Sequence, residues 1–152
     1  MKGIVIYDSS HGNTKKVAET ISETLLESGI EVDAFYVKEI KKLRTKEYDF
    51  LVIGSPTRWG TMSFTVKRFL SKVNEEWKNK PFISYDTELS ENIEKNEGSA
   101  AGKISEKLKE KQMNQLLPVL KTIVSGIKGP LQEGEIERTK DYARKLAVEL
   151  KR

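Results

Sequence analysis

The sequence has 152 residues, with 27 Lys and Arg against 23 Asp and Glu for a formal net charge of +4, one His and no Cys. The length fits one domain over 1–152 with a sizeable core, while the absence of cysteine and the lone histidine exclude a disulfide or thiolate site and argue against a histidine-built metal centre or a Ser-His-Asp triad. No apolar run approaches 18 residues and no signal peptide opens the chain, so a soluble cytoplasmic protein with no membrane role is expected.

Residues 2–8 form a short β-branched apolar run, as a buried central strand requires. A polar turn follows. Val17, Ala18, Ile21 and Leu25 then recur at helical spacing, and Gly29 supplies the stop. Residues 31–37 alternate as an edge strand does, and 38–47 are polar, predicting a short helix or loop. Residues 49–54 read as a third strand, and Val66, Phe69, Leu70 and Val73 mark a second helix. Trp77, just beyond it, reads as a packing residue. Residues 81–85 read as a fourth strand. Residues 86–99 are acidic and without clear period, which predicts a long exposed loop. Ala100, Ala101, Ile104 and Leu108 predict a helix over 99–112, residues 119–124 a fifth strand, and Ile136 to Leu150 a final helix after a glycine- and proline-rich turn. Five strands alternating with helices imply a parallel sheet covered on both faces.

Charge is unevenly spread. Residues 38–46 carry a local net of +4 and residues 86–97 a local net of −4. The basic run has no interleaved aromatic, so a solvated face is expected there rather than a nucleic-acid site.

In such a sheet ligands bind beyond the carboxyl ends of the strands, where strand order reverses. Three loops meet there. The first is Ser9-Ser10-His11-Gly12-Asn13-Thr14, between a strand and a helix. A helix start offers unpaired N–H groups and the positive end of a dipole; hydroxyls and an amide add donors, and Gly12 lets the backbone come close. With no Lys or Arg from Tyr7 to Thr14, a phosphate would be held by dipoles alone, which suits a resident cofactor better than a triphosphate turned over with magnesium. The spacing matches neither the G-x-x-x-x-G-K-S/T loop nor G-x-G-x-x-G. A plain polar turn, with Asn13 or Thr14 capping the helix, remains the other reading. The second loop, Ser55 to Met62, carries Pro56, Thr57, Arg58, Trp59 and Gly60; the third begins Ser84-Tyr85-Asp86. A phosphate cradle beside large aromatics fits a planar ring with a phosphate tail, Trp59 stacking on one face and Tyr85 bordering the other. Both aromatics have a packing alternative, Trp59 on its own helix and Tyr85 on the sheet.

Ser9-Ser10-His11-Gly12-Asn13-Thr14 resembles the phosphate loop of flavodoxins, usually Ser/Thr-x-Thr-Gly-Asn-Thr, with His11 where the family has Thr. A histidine version is similar to the flavodoxin domains of A-type flavoproteins. Ser55 to Met62 resembles the second flavin loop, and especially the Pro-Thr-Arg-Phe/Tyr-Gly-Asn-Met stretch of quinone reductases of the Trp-repressor-binding-protein type. The two motifs stand about 45 residues apart and, with the βα alternation, the resemblance covers nearly the whole chain. It implies a flavodoxin-like three-layer sandwich with a five-stranded parallel sheet in the order 2-1-3-4-5. It also implies bound FMN, held by residues 9–14, 56–60 and 84–86, no metal, and redox partner proteins. The chain departs from the family after the fourth strand, where Ser84-Tyr85-Asp86 runs into the acidic stretch. Glu88, Glu91 and Glu94 there are expected to disfavour the more negative, reduced cofactor.

Three functions follow. One is an electron carrier, monomeric or weakly self-associating, shuttling electrons between protein partners. A second is an FMN-dependent NAD(P)H:quinone or flavin reductase, favoured by the Pro-Thr-Arg-Trp-Gly stretch and the positive charge. A third is a flavin-free binding module on the same fold.

Overall fold

The computed structural model describes residues 1–42, 44–95 and 98–152. The first strand, β1 (Lys2–Tyr7), is buried on both faces because Ile4, Val5 and Ile6 alternate between two cores. Its partners are β2 (Glu31–Tyr36) and β3 (Phe50–Pro56), both parallel to it. β2 is half exposed, as the alternating sequence predicts for an edge. Next to β3 lies β4 (Pro81–Leu89), the longest strand at nine residues. The fifth position of the sheet is shared by two pieces. β5 (Asn114–Gln115) pairs with the start of β4, and β6 (Leu120–Val124) with its end. Pro118 lies in the gap between them, where a residue with no N–H to donate belongs. The order is β2-β1-β3-β4-β5, with β6 also on β4, so the expected order holds and the fifth strand is split.

One face is covered by α1 (Asn13–Glu27) and α5 (Glu135–Leu150), which pack Val17, Ile21, Leu25 and Leu146 on Val5, Val52, Ile83 and Tyr85. The other is covered by α2 (Phe64–Leu70) and α4 (Ala100–Glu110), which pack Phe69, Leu70, Ile104 and Leu108 on Ile4, Ile6, Leu51 and Ile53. The result is a three-layer α/β sandwich. Trp77 is fully buried in this second core, as expected of a packing residue. α1 stops in a Schellman turn: the amide of Ile30 donates to Leu25 O and that of Gly29 to Leu26 O, with Gly29 at φ 83°.

The largest departure from the sequence reading is at residues 86–99. The first four are strand rather than exposed loop: β4 continues through Asp86, Thr87 and Glu88, all buried, to Leu89. Pairing on both sides drives this, because Asp86 lies beside Ser55 of β3 and Lys121 of β6. A short helix, α3 (Ser90–Lys95), follows. The polar segment at 38–47 contains turns of 3₁₀ helix at Val37–Glu39 and Thr45–Glu47. Leu43, Asn96 and Glu97, which belong to these two stretches, lie outside the described residues.

Candidate functional site

A cavity of about 430 Å³ opens at the carboxyl ends of β1, β3, β4 and β6. Its first wall is the turn into α1. Gly12, at φ 87°, is the N-cap residue, and no side chain caps the helix. Thus neither Asn13 nor Thr14 acts as a cap, and the alternative of a plain capped turn is not what forms. Both side chains are engaged elsewhere: Asn13 Nδ2 donates to Lys128 O at 3.2 Å, and Thr14 Oγ1 bonds Thr87 Oγ1 at 2.9 Å across the buried base of the cavity. Ser9 Oγ accepts from the Gly12 amide at 3.0 Å and fixes the turn. The amides of Asn13, Thr14 and Lys15 have no backbone or side-chain acceptor among the described residues, and the first turn of α1 carries no acidic side chain. A Cβ on Gly12 would meet nothing within 4 Å, so open space lies over the helix start. These features suit an anion. Ser9, Ser10, His11, Asn13 and Thr14 line the cavity.

The second wall is the loop after β3. The amides of Arg58 and Thr61 each donate to the other's carbonyl, at 3.0 and 3.1 Å, closing a tight turn over Trp59 (φ 54°) and Gly60 (φ 75°). Positive φ at both central residues marks the mirror-image turn of tight hairpins. For a bulky residue such as Trp59 that conformation is strained. Its indole is fully exposed, so it does not pack on its own helix. Pro56, Thr57, Arg58 and Trp59 line the cavity, while Gly60 is buried behind them.

The third wall is displaced from where the sequence put it. Ser84, Tyr85 and Asp86 are wholly buried and do not reach the cavity. Ser84 Oγ donates to Ala101 O at 2.8 Å. The Tyr85 ring lies over Gly54, where a Cβ would come within 2.0 Å of it, and its hydroxyl donates to Thr14 O at 3.1 Å. Burial pushes the Tyr85 phenol up. Tyr85 is therefore a core residue that props the first turn, not a wall for a ring. Because β4 runs on past 85, Thr87, Glu88 and Leu89 form the wall instead, with Asn92 of α3, Val124 at the end of β6 and Ile127 beyond it. The strand residues were missed because carboxylates in a sequence read as solvated; the alternation of Tyr85, Thr87 and Leu89 was the available signal. Of the three glutamates expected to act on the cofactor, only Glu88 lines the cavity; Glu91 and Glu94 are exposed on α3.

Behind this wall sits a buried polar network. Thr57 Oγ1 accepts from the amide of Ala100 at 2.8 Å and donates to Asp86 Oδ2 at 3.0 Å, which also accepts from the amide of Ala101 at 3.0 Å. Thr57, a cavity residue, is thereby fixed to the start of α4. Asn92 Nδ2 donates to Glu88 Oε1 at 2.9 Å and to Gly98 O at 3.0 Å. Burial pushes the Asp86 carboxyl well above the usual carboxylate range; the neighbouring Glu88 carboxyl pushes the same way, and the Ala101 amide and Thr57 hydroxyl oppose it. Among the described residues no group of three or more His, Asp or Glu side chains gathers as a metal site would need.

A parallel sheet opening onto an uncapped helix start, a hydroxyl turn and an apolar slot defines an α/β protein built for a phosphate-bearing cofactor. The model of the flavodoxin domain family matches residues 4–129, and the chain belongs to that family. FMN is the cofactor that membership in the family assigns. The chain is similar to a flavodoxin of Aquifex aeolicus, 42% identical over 73 residues, covering 47% of this chain and 40% of that protein. It is also similar to the protoporphyrinogen IX dehydrogenase (quinone) of Escherichia coli K12, 27% identical over 89 residues, covering 59% and 49%. It thus spans about half the length of the curated relatives it matches. A solved flavodoxin from the domain Archaea shares the fold over the full length of both chains, with a TM-score of 0.84 at 24% identity. No helix among the described residues is long and apolar enough to cross a membrane.

Proposed function

We propose that this chain is a single-domain cytoplasmic electron carrier, residues 1–152, that holds FMN in the cavity and passes electrons between partner proteins. The observation that carries this reading is the uncapped start of α1 under open space at Gly12, beside an apolar slot of Pro56, Leu89, Val124 and Ile127. When bound, FMN supplies the redox chemistry. The protein's part is to bind and orient it. The amides of 13–15 and the hydroxyls of Ser9, Ser10 and Thr14 would take the phosphate, with His11 beside them. Thr57, Arg58 and Trp59 on one side and Glu88 and Leu89 on the other would flank the ring. Trp59 is free to stack because its side chain is fully exposed. The absorption spectrum of the purified protein, before and after FMN is added, tests this. Shifted flavin bands retained through gel filtration are expected; no flavin in either sample overturns it.

A second reading, an FMN-dependent quinone reductase, is favoured by the similarity to the quinone-linked dehydrogenase and by the net charge of +4. Sustained NAD(P)H oxidation with a quinone would establish it; transfer only between proteins leaves the carrier.

A further inference from the structure

Asp86 and Glu88 are two apart on β4, so their side chains leave the same face of the sheet. They are 0% and 1% exposed. On each carboxyl one oxygen is satisfied: Asp86 Oδ2 by Thr57 and Ala101, Glu88 Oε1 by Asn92. The other oxygens, Asp86 Oδ1 and Glu88 Oε2, are buried and meet no donor among the described residues. The Glu88 carboxyl, on the same face, pushes the Asp86 carboxyl further above the usual carboxylate range, as a bond between the two would. Two carboxylates offer acceptors only, so a bond between them requires a proton. Glu88 also lines the cavity, which puts one end of the pair at the proposed cofactor site.

The surroundings supply no compensating ion pair. The loop after β3 presents the Thr57 hydroxyl, with Arg58 farther along the cavity wall. Of the cavity-lining residues of the first turn, His11 alone has an ionisable side chain. α3 contributes the neutral Asn92, and α4 its first amides, with Lys103 one turn on near Gly98. β6 places Lys121 in register with Asp86. Among the described residues none of these cations forms a salt bridge with either carboxyl. Two unpaired negative charges buried side by side are strongly unfavourable, and sharing a proton removes one of them.

We propose that Asp86 and Glu88 share a single proton, held between Asp86 Oδ1 and Glu88 Oε2, and that this proton sets the charge of the cavity wall to which the cofactor's reduction responds. The sharing stands on the protein alone; the redox consequence rests on FMN occupying the cavity. The electron arrives from an external redox partner and goes to the cofactor, while the proton exchanges only between the pair and solvent. As pH rises and the pair loses its proton, the wall changes from one negative charge to two, and the more negative, reduced cofactor is disfavoured. Linkage requires the converse: reduction raises the pair's hold on its proton. Between the pair's apparent pKa values with oxidised and reduced cofactor, the ratio of reduced to oxidised FMN at fixed potential falls by up to about tenfold per pH unit.

Two measurements test this. In FMN-free protein labelled with ¹³C at Asp and Glu carboxyls, two coupled resonances are expected to titrate in well-separated steps, the upper well above the ordinary carboxylate range. Asp86→Asn and Glu88→Gln, nearly isosteric, should each abolish the upper step. Both carboxyls titrating together in the ordinary carboxylate range, or an upper step that survives either substitution, overturns the sharing; the wild-type titration decides even if a variant fails to fold. In FMN-loaded protein the midpoint potential should steepen with pH through the upper step and lose that slope in both variants. The same slope in all three proteins overturns the redox coupling. Failure of wild type to take up FMN is a different result: it overturns the proposed function and leaves the FMN-free titration standing.

Discussion

The two walls of the cavity that face each other across the end of the sheet were made legible to very different degrees by their residues. The turn at 9–14 works through its backbone, with uncapped amides and a glycine at positive φ, and backbone demands of that kind leave a local signature in sequence. The end of β4 works through buried carboxyls, and there composition misleads. Five acidic residues within 86–97 look like a solvated loop, yet Asp86 and Glu88 are in the core. Local chemistry announces where a chain must turn or bind an anion. Whether a carboxyl is solvated is decided by what packs on it from far away in sequence, here Thr57, Ala100 and Ala101.

The two walls are joined at Tyr85, and the contrast breaks most completely if that joint is lost. Gly54→Ala puts a methyl within 2.0 Å of the Tyr85 ring. Displacing the ring also breaks its bond to Thr14 O. A loss of about 3 kcal/mol in urea-induced unfolding is expected, from overpacking and an orphaned buried hydroxyl. The carboxyl wall alone is probed by pH. Asp86 has its pKa raised by folding, so its contribution to stability is fully present below the ordinary carboxylate range and is lost as pH rises through the raised value. Unfolding measured over a pH series should therefore show wild type losing stability relative to Asp86→Asn as pH increases; parallel curves would mean that the carboxyl is solvated after all.

A finer test addresses the hydroxyl bond between Thr14 and Thr87. Thr14→Val or Thr87→Val alone leaves one buried hydroxyl unpaired and should cost about 1–2 kcal/mol. The double variant should cost clearly less than the sum, and a double-mutant cycle of denaturation free energies reads the coupling. The smallest effect on the FMN-free fold is expected at Trp59. Trp59→Gly relieves a left-handed residue whose side chain touches solvent, so stability should rise by about 0.5–1 kcal/mol. FMN affinity, followed by fluorescence titration, should fall at least tenfold, since a stacking surface is lost.

Much of the fold was readable because apolar period and turn chemistry agree along most of the chain. Ile4 to Ile6, the stripe Val17-Ala18-Ile21-Leu25 and Gly29 each specify their element locally. The split of the last strand was not readable, since Asn114 and Gln115 are polar and are recruited only by pairing with Pro81 and Phe82. Of the residues singled out by type, Ser9 to His11, Asn13, Thr14 and Pro56 to Trp59 line the cavity. Ser84, Tyr85 and Asp86 were placed at the cavity because the strand was ended too early: four further residues, three with polar or charged side chains, continue it. Val124 and Ile127 carry no chemistry that distinguishes a cavity wall from core.

The clamp at Thr14 has a kinetic meaning. Its carbonyl is held by Tyr85, its hydroxyl by Thr87, and its neighbour Asn13 by Lys128 O, so β4 and the loop after β6 together fix this end of the cavity before any ligand arrives. Such a site needs no ordering step on association. Uptake of the cofactor should be a one-step encounter whose rate climbs in proportion to cofactor concentration without reaching a plateau.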